Sequence, residues 1–243
     1  KDLTRILSPE SLLAEDKRQA LLNSMCELTA LESERYDNLC KTLITTLVAY
    51  AQQLPEASNS HYSQPGGVVD YALNRTEAAL ELLRGFLVLK DGQTLSEEQK
   101  LWQYALYTAA ILQGIGKLFA DYQIYQFDSN AQKLALWNPL LEPLNARGVF
   151  YDLAYTKEPQ QDFRRRLNLL MAKAMMPAAG FAWIASNSKV LEVWLALLHE
   201  DTRSAGTLGA ILDRANALAI ARYFNEWMIR THGRGGRHIP GSP

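Results

Sequence analysis

The sequence predicts one mainly α-helical domain over residues 1–230, carrying a small β-hairpin and followed by a flexible, basic, Gly- and Pro-rich tail over 231–243. Three observations predict it. Apolar residues recur at three- and four-residue spacing along most of the chain. Helix-start signals stand directly before those stripes, as at Ser8-Pro9 and Ser96-Glu97-Glu98-Gln99. One stretch, Tyr122 to Trp137, instead reads as paired strands around turn residues.

The elements follow in order. Ser8 is the N-cap of a short helix with Pro9 in its first turn. Leu21, Leu22, Met25 and Leu28 share one helical face, and Leu39, Leu43, Leu47 and Tyr50 share another in a helix that stops before Pro55. Residues 54–67, LPEASNSHYSQPGG, form the clearest long loop, and a helix starts near Val68 with Asp70 in its first turn, where the helix dipole favours an acid. The box at Ser96–Gln99 opens a helix through Leu101, Trp102, Ala105, Leu106, Ala109 and Leu112, which Gly114 and Gly116 loosen or end. Tyr122–Phe127 and Lys133–Trp137 form the hairpin around Asp128-Ser129-Asn130. Further helices run from about Gln160 to Met176, from the cap at Asn187 or Ser188 to about Glu200, and from about Ser204 to Arg230. Most of the five tryptophans (Trp102, Trp137, Trp183, Trp194 and Trp227) read as core anchors. Residues 174–185, AMMPAAGFAWIA, are the most apolar loop, read as core packing first and as an interface second.

Composition narrows the function. The formal net charge of -1 lacks the basic excess of a typical nucleic-acid binder. Cys26 and Cys40 are too few for a disulfide framework and lack CxxC spacing, so they read as reduced thiols of a cytosolic protein. No apolar run approaches the length of a membrane span.

Three segments carry chemistry: HYSQPGGVVDYALN from His61, ILQGIGKLFAD from Ile111, and LDRANALAIARYF from Leu212. With SPESLL near the start, Leu54-Pro55, Trp137-Asn138-Pro139, Leu144, Tyr151 and the run Arg164–Arg166, their order resembles the TraI-2 domain of HD-type conjugative relaxases, a branch of the HD metal-dependent phosphohydrolase superfamily. The resemblance implies an HD-like helical fold. The family pattern runs His-His, Gly-Gly-Leu-Leu-x-His, His-Asp-Ile-Gly-Lys and a late Ala-Asp. Its imidazoles and carboxylates hold divalent metal, which activates a water against a phosphate ester.

Carried over residue by residue, His61 keeps one imidazole of the first pair and Tyr62 replaces the other. Gly66, Gly67, Val68 and Val69 keep the turn, and Tyr71 stands at the helix histidine. Gln113 and Gly114 replace the His-Asp pair, while Ile115, Gly116 and Lys117 remain. Asn216 falls at the late aspartate, with Asp213 nearby but out of register. The backbone-shaping residues persist and the metal-binding ones do not. The resemblance therefore implies a pseudoenzyme with no metal and no cofactor. Tyr71 and Gln113 are expected to hydrogen-bond across the centre. Lys117 reads as a helix C-terminal cation, Arg164–Arg166 as a solvated face beside Asp162 and Glu158, and His61 as a loop histidine.

The family context is conjugation. It implies a non-catalytic adapter in a type IV secretion or coupling complex of the Dot/Icm kind, in contact with a coupling ATPase or its accessory subunits. Such a protein is cytoplasmic and peripheral at the inner membrane through its complex. The alternative is a metal-dependent phosphohydrolase or relaxase with a rearranged site using His61, Asp70 and Asp213. Nucleic acid is the third partner weighed. Arg234, Arg237 and His238 of the tail offer a weak basis for it, and the charge balance opposes it.

Overall fold

A short strand, β1 (Thr4–Arg5), precedes α1 (Pro9–Leu13), which starts where Ser8 Oγ accepts a hydrogen bond from the Ser11 backbone N–H. The computed structural model describes residues 2–87 and 92–235. Helix α2 (Asp16–Thr29) buries Met25 and ends at Ala30, whose φ of 52° turns the chain. Helices α3 (Ser33–Tyr36) and α4 (Thr42–Ala51) are joined by a wide π turn over Asp37–Lys41. Periodicity alone gives no sign of that turn. Its carbonyls accept from buried tyrosines on a later helix: Tyr104 Oη donates to Leu39 O at 2.8 Å and Tyr107 Oη to Cys40 O at 2.9 Å.

Helix α5 (Gly67–Phe86) is the centre of the fold and packs against α2, against α6 (Glu97–Leu112) and against the last helix, α11 (Gly206–Gly235). The capping box at the start of α6 forms in both directions between Ser96 and Gln99. One continuous apolar core runs through these helices, with Leu43, Leu73, Leu106 and Trp194 among its fully enclosed side chains.

The hairpin forms where expected, as β3 (Tyr125–Phe127) and β4 (Lys133–Leu136), antiparallel with Tyr125 opposite Leu136 and a bulge after Gln126. It belongs to a larger sheet than the sequence predicts. β5 (Phe150–Tyr151) joins β3, and β1 joins β5, giving the order β1-β5-β3-β4. A second pair links β2 (Tyr122–Gln123) with β6 (Ala154–Tyr155). Two-residue strands carry no alternation pattern, so only their pairing reveals them.

A one-turn helix, α7 (Lys117–Ala120), precedes the sheet, and α8 (Gln161–Met175), α9 (Ala178–Ala185) and α10 (Ser188–Leu198) follow it. Asn187 caps α10 through its Oδ1. Residues 174–185 are not a loop. Pro177 ends α8, the chain bends by 117°, and α9 buries Gly180 and Ile184 in the core. Among the described residues, no single helix is long and apolar enough to cross a membrane. Trp137 and Trp194 are core anchors, Trp102 and Trp183 are half-buried, and Trp227 is exposed. Helix α11 continues to Gly235, past the expected end near Arg230 and into the segment read as tail, and Arg237 and His238 lie outside the described residues.

Candidate functional site

Four segments converge on one polar centre: the loop over 54–66, the first turns of α5, the connection from α6 to α7, and the middle of α11. The loop is closed by the Glu56 backbone N–H donating to Tyr62 O at 2.9 Å. Tyr62 has a φ of 57° and Gly66 a φ of 82°, so the chain turns sharply before α5. Gly67 then lies directly against the Tyr62 carbonyl. That contact explains the Gly-Gly pair by close approach at Gly67 and by backbone conformation at Gly66.

Tyr62 and Tyr71, the two tyrosines that the resemblance sets at histidine positions, form a stack. The Tyr62 and Tyr71 rings lie 4.8 Å apart and 9° from parallel, and the His61 ring meets Tyr71 edge-on at 5.2 Å. Tyr62 Oη donates to Ala219 O on α11 at 2.7 Å. Tyr71 and Gln113 are not bonded to each other, contrary to expectation. Asn216 stands between them: Tyr71 Oη donates to Asn216 Oδ1 at 3.1 Å, and Asn216 Nδ2 donates to Gln113 Oε1 at 2.9 Å. A side chain with both a donor and an acceptor can link a hydroxyl to an amide across a gap neither spans alone. The structure thus gathers His61, Tyr71, Gln113, Gly114 and Asn216 into one place.

Gly114 has a φ of 70°, and a Cβ there would meet only Lys117 Nζ at an ordinary 3.9 Å, so its backbone conformation, not crowding, suits glycine. Gly116 is constrained by crowding: a Cβ would lie against Arg164 O and 2.9 Å from Asn168 N. Its N–H donates to Asn168 Oδ1 at 2.7 Å, locking α7 onto α8.

Two cations are placed differently from their expected roles. Lys117, read as a helix C-terminal cation, is the first residue of α7 and is buried, with its Nζ paired to the Glu56 carboxylate. Arg164 is not on a solvated face but reaches inward to Asp121 Oδ2 at 2.9 Å. Both line a cavity of about 200 Å³ with Glu56, His61, Tyr71, Arg75, Gln113, Gly114 and Glu200. Arg75 is the residue that motif reading misses. It lies one turn after Tyr71 on the buried stripe of α5, is 3% exposed, donates from Nε to Ala110 O at 2.8 Å, and stacks over the Tyr71 ring at 4.6 Å. An arginine on the core-facing stripe between Ala72 and Ala79 was the available signal.

Burial shapes the electrostatics. It pulls the Arg75 pKa down, opposed by Tyr71 and Glu56. It pulls Lys117 down as well, opposed by Glu56 and reinforced by the like charges of Arg75 and Arg164. Burial also pushes the Tyr62 and Tyr71 hydroxyls up, so both remain neutral donors at physiological pH.

The acids of the alternative site are dispersed. Asp70 accepts from Arg18 Nε at 2.8 Å and from Gln64 Nε2 at 3.3 Å. Asp213 accepts from Thr202 Oγ1 at 2.8 Å. Among the described residues, no three His, Cys, Asp or Glu side chains stand close enough to share a metal ion. Asp70 therefore has a structural task. Arg18 is buried and also donates to Leu12 O and Gly66 O, so it ties α2 to the turn that starts α5. Substitution Asp70→Asn is expected to cost about 3 kcal/mol, because it leaves a buried guanidinium uncompensated. Chemical denaturation measures it, and a loss under about 0.5 kcal/mol would contradict the assignment.

The fold and centre define a helical domain in which a tyrosine-, amide- and arginine-lined cavity stands where the loop before α5, α5 itself and the α6–α7 connection meet. The family model TraI_2, described as "Putative helicase", matches residues 4–237, and the chain belongs to that family. Membership implies a relaxase- or helicase-like, conjugation-related domain. The 243 residues contain no GxxxxGK[ST] phosphate-binding loop. No curated protein matches the chain.

Proposed function

We propose that this domain is a non-catalytic adapter of a type IV secretion, coupling or conjugation complex. It acts through protein contacts with a coupling ATPase or its accessory subunits and is cytoplasmic, held at the inner membrane by that complex. The likeness to the DotZ subunit of the Dot/Icm coupling complex belongs to this reading.

The observation that carries it is the second half of α11. The helix buries Leu208, Leu212, Ala215 and Ala219 in its first half, then leaves Phe224, Trp227, Met228 and Ile229 exposed. Phe224, Trp227 and Met228 recur at i, i+3 and i+4, so they share one face. A Trp-anchored apolar helix face fits the composition of protein-binding hot spots. The chemistry of the centre agrees: tyrosine, glutamine, glycine and asparagine at the family's ligand positions are poor donors for a divalent cation.

Substitution Trp227→Glu with Met228→Glu tests the surface. Both side chains are solvent-facing, so folding stability is expected to stay within about 0.5 kcal/mol of the parent. Co-purification of coupling-complex subunits is expected to fall at least about tenfold, the scale of one lost hot spot. Undiminished co-purification would move the interface elsewhere. A divalent metal bound one-to-one would instead favour the phosphohydrolase or relaxase reading.

A further inference from the structure

We propose that the open edge of β4, with the aromatic groove at its end, binds an extended peptide segment of a partner protein by strand addition. The segment carries apolar side chains at alternate positions and an acidic residue beside Lys133. The surface uses none of the α11 residues, and the proposal does not depend on the adapter reading.

β4 ends one side of the four-stranded sheet, and among the described residues no strand lies on its outer side. Ala135 pairs with Gln126, and the Trp137 N–H donates to Ile124 O at 2.8 Å. Alternate residues of an antiparallel strand turn their backbone groups to opposite sides, so the N–H and C=O of Leu136 point away from β3. Leu134 is the extra residue of the bulge and stands opposite no residue of β3. Unpaired edge groups of this kind are a template for another strand, and proteins commonly blunt them with charge. On β4 the one charge is Lys133 at its start, and the two leucines that follow are each 51% exposed. The opposite edge, β1, offers only Thr4 and Arg5.

The groove supplies the side-chain pocket. Leu136 lines it with Phe119, Tyr122, Trp137, Pro139 and Phe163, around a volume of about 270 Å³. Phe119 and Phe163 meet edge to face at 6.1 Å. The volume is below the roughly 300–1,000 Å³ of sites that enclose a whole small molecule, and it suits an apolar side chain of a passing segment. Strand addition draws affinity from main-chain hydrogen bonds and specificity from pockets for alternate side chains, and β4 offers both. Lys133 sets the charge of the occupant. It is exposed, its Nζ lies 3.9 Å from the centre of the Tyr125 ring, and among the described residues no carboxylate pairs with it. An acid on the added strand completes it. A second copy of this chain fits less well, because β4 brings four residues and no acid, where a stable dimer uses about 20–30 residues a side.

The test is selection of phage-displayed random dodecapeptides on the full chain, followed by fluorescence anisotropy with a selected peptide made synthetically. Enriched sequences are expected to alternate apolar and polar residues and to carry Asp or Glu at one end. Methylating alternate backbone nitrogens of the peptide removes donors and keeps every side chain. It is expected to weaken binding at least about tenfold in one of the two alternations and little in the other. Leu134→Lys with Leu136→Lys is expected to weaken binding at least about tenfold, with the fold kept because both side chains are half exposed. Lys133→Glu is expected to reverse the charge preference, so that the peptide with Lys in place of its acid binds the variant more tightly than the parent. A merely structural Lys133 would not give that exchange. No enrichment on the parent over the double-lysine variant would overturn the proposal. So would enriched peptides with apolar residues at helical spacing, or binding indifferent to methylation in both alternations. Dimerisation of the chain that the double-lysine variant abolishes would give the edge to a second copy and overturn it as well.

Discussion

Substitution Gly67→Ala is expected to unfold the domain or destabilise it by at least about 4 kcal/mol, a loss reached only by severe steric or buried-polar defects. A Cβ at Gly67 would sit inside contact distance of the Tyr62 carbonyl oxygen and 2.9 Å from the Glu56 backbone nitrogen. Both are backbone atoms already bonded to each other, so no rotamer change relieves the clash. The loop would have to open, taking with it the Tyr62 hydrogen bond to Ala219 and the Glu56 pair with Lys117. Gly85, on the same helix, is the control: nothing lies within 4 Å of its added Cβ. Gly85→Ala is expected to stabilise the domain by about 0.5–1 kcal/mol through helix propensity. Denaturation midpoints of the two variants check the pair. Equal effects would mean that the close approach of α5 to its loop is misplaced.

Alkali is expected to unfold the domain cooperatively near about pH 11. Tyr36, Tyr62, Tyr71, Tyr104, Tyr107, Tyr122 and Tyr151 are buried, and burial raises every one of their hydroxyls above the ordinary phenol value, Tyr151 to about 12. Above pH about 10 the unfolded chain releases these protons while the folded one keeps them. The folded state then binds more protons, so stability is intact below the unfolded pKa and falls as pH rises through it. Each group contributes about 1.4 kcal/mol per pH unit, so seven acting together exhaust a typical stability of about 5–15 kcal/mol within roughly one to two units. The buried Cys40 thiol, also raised, adds to the loss. Lys117 is depressed and works in the opposite sense, as a single group against the set. Tyrosinate absorbance and helical circular dichroism are expected to change in one step. Phenols titrating near pH 10 with the helices intact would contradict the burial.

What was legible in the sequence were signals that act locally. The Ser96–Gln99 box, the Ser8 and Asn187 caps, the Pro177 stop and the Asp128–Asn130 turn each depend on a few adjacent residues. The sequence-distant residues of the centre do meet in space. Asn216, placed against a competing Asp213, is the residue that joins Tyr71 to Gln113. What escaped depends on partners distant in sequence. The π turn is matched to hydroxyls more than sixty residues on. β1 and β5 are too short to alternate and exist through pairing. Arg164 sits in a run of three arginines that reads as solvated, yet its counter-ion Asp121 reaches it from before the sheet. Trp227 follows the helical period of α11 but lies where that helix has passed its neighbours, so hydrophobicity alone misassigns it to the core.

The central claim is that this TraI_2 domain works by assembly and not by metal-dependent hydrolysis. It is tested most directly by purifying the tagged protein from native cytosolic and membrane fractions and analysing the same eluate for partner subunits and for metals. The predicted result is secretion- or coupling-complex subunits in the eluate and no stoichiometric manganese, iron or zinc. A protein that elutes alone with one metal ion per chain would contradict the account, and Tyr71, Gln113, Gly114 and Asn216 would then have to be reassigned as parts of a working site.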